Sequence, residues 1–120
     1  CMAYCNYLLE VGKREDFLGV KVALAPCLHG YAEAAVMGQK IRKRLQNGGV
    51  VDNEQAAVYQ SWLDDYTSDW YTHAESEGRK ALQLLVKSMP PNDKRIEELV
   101  RIFNRVTLLE IDFWDEVLNI

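Results

Sequence analysis

The stretch Ile96-Glu97-Glu98-Leu99-Val100-Arg101-Ile102-Phe103-Asn104-Arg105-Val106-Thr107-Leu108-Leu109-Glu110-Ile111-Asp112-Phe113-Trp114-Asp115-Glu116-Val117 decides the fold class. Ile96, Leu99, Phe103, Val106, Glu110, Trp114 and Val117 recur at spacings of three or four, so they share one face of a helix. The alternation of a strand is absent. A helix is expected from about Lys94 to Leu118, with Pro90, Pro91, Asn92 and Asp93 closing the preceding helix and capping this one. Glu110 falls in the middle of the apolar stripe. Burying an unpaired charge costs on the order of several kcal/mol, so this carboxyl must be paired, hydrogen-bonded or protonated. It is held by an Arg or a Tyr, or sits at the edge of the stripe, or is a working acid.

Upstream, the same period repeats. Tyr4, Leu8 and Val11 mark a first helix that Gly12 is expected to end as a C′ residue, followed by Lys13 and Arg14. Glu15 and Asp16 suit the first turn of a long second helix through Phe17, Val20, Leu24, Cys27 and Tyr31 toward Leu45. Pro26 removes a backbone hydrogen bond and crowds the Val22 carbonyl, so a kink or break is expected just before Cys27. The basic run Lys40 to Arg44 reads as a solvated helix end, and Asn47-Gly48-Gly49 stops that helix. A third helix begins at Asp52 or Asn53 as cap and carries Val58, Trp62 and Tyr66 as its stripe. Thr67, Ser68 and Asp69 allow a break before a fourth helix over about Trp70 to Lys87. The expectation is an all-α chain of about five helices, in one domain over residues 1–120.

Composition sets limits on partners. The 120 residues are 48% hydrophobic and 27% charged, the balance of a globular chain. A formal charge of −4 argues against nucleic acid as the main partner, since phosphate binding wants a basic face. No apolar run approaches the roughly 18 residues of a membrane span, so no membrane partner is expected. The three cysteines form neither a metal-type CxxC pair nor a disulfide framework, and a reducing, cytoplasmic setting follows. Position 1 is not Met and the first helical pattern lacks a cap, so a longer parent chain is expected.

Cys27 and Tyr31 lie one turn apart on one face of the second helix, just past Pro26. A lone Cys in the run Val22-Ala23-Leu24-Ala25 reads as a small buried hydrophobe or as a thiol aimed at a site. His29 is turned to a different face from Cys27, which argues against a dyad within this helix. His73, in an Asp69-x-x-x-His73 spacing, has no Glu-x-x-His partner motif and reads as structural.

Together these segments resemble the second half of the TenA (thiaminase II) family, fungal members in particular. Tyr4-Cys5-Asn6-Tyr7-Leu8-Leu9 is similar to the family's tyrosine-bearing helix. Asp16-Phe17-Leu18 and Val22-Ala23-Leu24-Ala25-Pro26-Cys27-Leu28-His29-Gly30-Tyr31-Ala32-Glu33 resemble its most diagnostic stretch. Tyr59-Gln60-Ser61-Trp62-Leu63-Asp64-Asp65-Tyr66 looks like its Tyr-x-x-Trp segment, and Leu109-Glu110-Ile111-Asp112-Phe113-Trp114 like its closing Glu-x-x-Phe-Trp. The resemblance implies a haem-oxygenase-like helical bundle, incomplete here, without haem, metal or other cofactor and usually a homotetramer.

It also implies thiamine salvage by hydrolysis at an aminopyrimidine, the small-molecule partner being thiamine or its pyrimidine breakdown products. By position Cys27 matches the nucleophile that adds to the ring, and Glu110 the acid/base that moves protons on and off it. Tyr4, Tyr31 and Tyr66 match tyrosines that line the pocket. The family's N-terminal half supplies an aspartate and aromatics that hold the pyrimidine, and no position here stands in for them. In fungi such a module can follow a hydroxymethylpyrimidine kinase. The alternative expectation is a non-catalytic TenA-like module for binding or oligomerisation.

Overall fold

A computed structural model describes residues 2–49 and 53–119. Cys1 and Asp52, the alternative cap of the third helix, lie outside them. Five helices run in the order α1 (Met2–Arg14), α2 (Phe17–Asn47), α3 (Glu54–Tyr66), α4 (Asp69–Ser88) and α5 (Asp93–Leu118). No strand occurs among the described residues, so the all-α expectation holds. No described helix is long and apolar enough to cross a membrane. By packing, the chain divides into two compact units: Cys1–Cys27 with Arg79–Ile120, and Leu28–Gly78.

The first unit is built on α5, with α1 packed against it. Val11, Ala23, Ile102 and Val106 form its core, and Tyr4, Tyr7, Leu8, Val20 and Val22 pack around them. The buried row of α5 is Leu99, Ile102, Val106 and Leu109. The expected stripe was therefore centred to one side of the buried row: it shares Leu99 and Val106 with that row, while Ile96, Phe103, Trp114 and Val117 are exposed. Both rows run through Leu99 and Val106, and the packing of Val11 and Ala23 selects the one that includes Ile102. Ile102→Ala is accordingly expected to lower unfolding stability by about 2–5 kcal/mol in urea titrations of the full-length protein. Leu108→Ala, on the exposed side, is expected to stay within about 0.5 kcal/mol.

Two boundaries differ from the sequence reading. Gly12 does not end α1, which continues to Arg14. Glycine inside a helix costs only about 1 kcal/mol. Here the Glu15 amide still bonds the Val11 carbonyl at 2.9 Å, and Arg14 pairs with Glu10 at 2.7 Å. Glu15 and Asp16 precede α2 rather than filling its first turn. Asp16 caps it instead, its side chain accepting the Gly19 amide at 2.9 Å. That bond, with the Arg95 guanidinium beside it, holds the Asp16 carboxyl below its ordinary range. Arg95 reaches Glu15 at 3.0 Å, Asp16 at 2.8 Å and Glu98 at 3.0 Å, tying the α1–α2 turn to the start of α5.

Of the kink or break expected at Pro26, no break occurs, since α2 is helical on both sides of it. The proline leaves the Val22 carbonyl without its usual intrahelical donor, and the helix continues past it nonetheless. The boundary between the two units falls just beyond, between Cys27 and Leu28. As expected of a solvated helix end, Lys40, Lys43 and Arg44 are exposed, and Gly49 stops the chain's helical path with φ of 86°.

In the second unit α2 and α3 approach closely at Gly38, where an added Cβ would lie 2.6 Å from a Leu63 methyl. Asp64 on α3 accepts from Gln39 at 2.9 Å and from Gln60 at 2.7 Å. Asn53 caps α3 by accepting the Ala56 amide at 2.8 Å. Trp62 and Tyr66 are half-buried, but Val58, the third member of the expected stripe, is exposed. Ser68 caps α4 through the Tyr71 amide at 3.4 Å, where a fresh start was expected.

Candidate active site

Tyr4 lies on the face of α1 that also carries Leu8 and Val11, and that face packs into the first unit's core. Glu110 follows the buried Leu109 on α5. The two meet: the Tyr4 hydroxyl donates to Glu110 Oε1 at 2.6 Å. Such a short O–H to carboxyl bond is of the strong, charge-assisted kind. Glu110 is thus held by a tyrosine, as one sequence expectation had it, and half-buried at the edge of the apolar row.

Cys27, half-buried on α2, comes under the influence of the same carboxyl. Burial pushes its thiol above the ordinary value, and the Glu110 charge pushes it further in the same direction. Both effects disfavour the thiolate. Cys27 alkylation by iodoacetamide, followed by peptide mass spectrometry, is therefore expected to rise with pH later than for an ordinary thiol. Glu110→Gln removes one of the two causes and should move that profile to lower pH. Cys5, an exposed free thiol, serves as the internal comparison.

Tyr31 and Tyr66 belong to the second unit, where they meet each other at 5.5 Å between ring centroids. Trp62 joins them, 6.0 Å from Tyr31 and 4.5 Å from Tyr66, and Tyr71 packs on Tyr66 at 4.8 Å. Such offset and edge-on pairs each contribute about 0.5–1.5 kcal/mol beyond area burial. The structure thus groups Tyr4, Cys27 and Glu110 in one unit, and Tyr31 with Tyr66 in the other. Sequence reading missed Tyr71, whose hydroxyl donates to the Leu28 carbonyl at 2.8 Å, and the 2.7 Å bond between His29 Nδ1 and Glu75. Nothing in the local pattern around Trp70-Tyr71 or Glu75 pointed to either. His73 is exposed on α4.

The chain matches a known family profile over residues 1–119, that of the TENA/THI-4/PQQC family. The chain belongs to this family. The TENA-type fold is helical and haem-oxygenase-like, in keeping with five helices and no strand among the described residues. Among curated relatives, the chain is 34% identical over 117 residues to the hydroxymethylpyrimidine/phosphomethylpyrimidine kinase THI20 of Saccharomyces cerevisiae, covering 98% of this chain and 19% of that protein. It is 32% identical over 120 residues to an uncharacterized protein of Haemophilus influenzae, covering 100% of this chain and 51% of that one. It is 27% identical over 118 residues to the aminopyrimidine aminohydrolase of Halalkalibacterium halodurans, covering 98% of this chain and 48% of that protein. The chain therefore spans about half the length of these bacterial relatives and a smaller part of the yeast kinase. No solved structure matches it.

Proposed function

We propose that this chain is the catalytic-cysteine half of a thiamine-salvage hydrolase acting on an aminopyrimidine, in the manner of thiaminase II. Cys27 is the nucleophile and Glu110 the proton carrier. The observation that supports this reading most is the meeting of Tyr4 with Glu110 and of the Glu110 charge with the Cys27 thiol. A protonated thiol beside a carboxylate has an acceptor for its proton as sulfur attacks the ring. The same carboxyl then gives that proton to the departing group, takes one from the water that replaces it, and returns this to the sulfur as the S–C bond breaks, so the pair ends as it began. Tyr4 holds the Glu110 carboxyl in place through Oε1. By the family resemblance Tyr31 and Tyr66 are substrate-binding tyrosines, and within their own unit they form a flat, polar-edged aromatic cluster with Trp62.

Family membership supports the thiamine connection, and the aminohydrolase relative supports the aminopyrimidine. Two free thiols among the described residues, Cys5 and Cys27, favour a reducing, cytoplasmic setting. Association into a homo-oligomer belongs to the same reading, supported by large apolar side chains left exposed, among them Met37, Ile41 and Leu45 on α2. The test is to incubate the full-length protein with thiamine and, separately, with an aminomethylpyrimidine. Hydroxymethylpyrimidine is then measured by mass spectrometry. Release from at least one substrate is expected. No release from either, by folded protein, would leave the non-catalytic binding module as the reading.

A further inference from the structure

Three consecutive positions along one face of α4 converge on one point of α2. Tyr71 is buried, at 9% exposure, and its hydroxyl donates to the Leu28 carbonyl at 2.8 Å. Glu75, one turn on, bonds His29 Nδ1 at 2.7 Å, with the two side chains only 16% and 19% exposed. At Gly78, a further turn on, an added Cβ would lie 2.5 Å from a Leu28 methyl, so α4 comes close to the Leu28 side chain here. The spacing i, i+4, i+7 puts all three on a single stripe. Every residue of this contact belongs to the unit Leu28–Gly78. None has a task in the chemistry proposed above.

What the stripe grips is the turn of α2 immediately after Pro26 and Cys27. Pro26 has no amide proton, so the helix lacks one of its own bonds in the turn that leads into Cys27. A carbonyl oxygen has two lone pairs, which lets Leu28 accept the Tyr71 hydroxyl as well as a helical amide. Because α2 is continuous here, holding residues 28 and 29 holds the peptide plane that follows Cys27. That plane sets the direction of the Cys27 Cα–Cβ bond, and with it where the sulfur is aimed.

We infer that Tyr71 and the Glu75–His29 pair are positioning residues for the Cys27 nucleophile. This rests on the reading of Cys27 as the nucleophile. A misplacement of about 1 Å at a reacting atom can cost on the order of 100-fold in rate, so a dedicated hold beside a proline has a purpose that core packing alone does not serve.

The experiment uses the full-length protein and its aminopyrimidine turnover. Tyr71→Phe keeps the ring and removes only the hydroxyl. It is expected to lower kcat by about 10–100-fold while KM stays within about twofold. The pH midpoint of Cys27 alkylation should not move, because no charge near the sulfur has changed. Glu75→Ala is expected to behave alike, whereas Glu75→Gln, which keeps an oxygen to accept the His29 Nδ1 proton, should recover most of the turnover. Unchanged kcat in both Tyr71→Phe and Glu75→Ala overturns the inference. So does a loss of thermal stability with kcat intact, since that describes a purely structural contact. A Cys27→Ser variant run in parallel separates the two readings. If it is inactive while Tyr71→Phe is normal, the positioning role alone fails; if it is active, the nucleophile reading fails and takes the positioning role with it.

Discussion

Replacing Cys27 by serine in the full-length protein is expected to abolish aminopyrimidine hydrolysis, by on the order of 10³-fold or more, the scale on which loss of a covalent nucleophile is felt. The thiolate, not the thiol, is the attacking species, and even at this site a thiol remains far more acidic than an alcohol. Burial and the Glu110 charge already make Cys27 reluctant to ionise, so the site has no surplus activation to offer a serine hydroxyl. The substitution is nearly isosteric, and circular dichroism and melting temperature should be unchanged. Steady-state kinetics on thiamine and on an aminomethylpyrimidine decide the matter. Near-normal turnover of both by the serine variant would remove Cys27 from the chemistry.

Glu110→Gln is expected to cut kcat by about 10²–10⁴-fold while substrate binding changes little. Glutamine keeps the shape and an oxygen for the Tyr4 hydroxyl, so the 2.6 Å contact has a replacement. What it cannot do is take a proton from sulfur and give it up again. The same substitution lowers the pH at which Cys27 becomes reactive toward iodoacetamide, because one of the two effects opposing the thiolate is gone. Turnover and thiol reactivity are thus expected to move in opposite directions in one variant. A glutamine variant with near-normal kcat would show that the carboxyl handles no proton in the slow step.

Much of this was legible in the residues. Helix number and most boundaries followed from period and caps, and Asn53 and Asn92 cap α3 and α5 as their side-chain chemistry requires. Glu110 stood out as a carboxyl on an apolar helix, and the structure supplies the tyrosine partner that such a group needs. What failed did so for identifiable reasons. Gly12 carries the signal of a helix end, but a penalty of about 1 kcal/mol is small beside the packing of Val11 next to it. The face of α5 was misplaced because its sequence carries two apolar rows sharing Leu99 and Val106, and periodicity does not rank rows. Tyr71 with Leu28, and His29 with Glu75, are contacts between helices far apart in sequence, and no local pattern encodes such pairs.

The proline inside α2 also shapes how this helix can come apart. A helix opens cooperatively along its chain of amide-to-carbonyl bonds, and that chain lacks one link where Pro26 faces the Val22 carbonyl. Opening that starts at Phe17 therefore meets a natural stop at the proline, as does opening that starts at Asn47. Amide protons before and after that missing link are expected to fall into separate protection classes in hydrogen exchange. Cys27 is the first residue past that seam, so a ligand that protects its amide reports on one opening event without freezing the other.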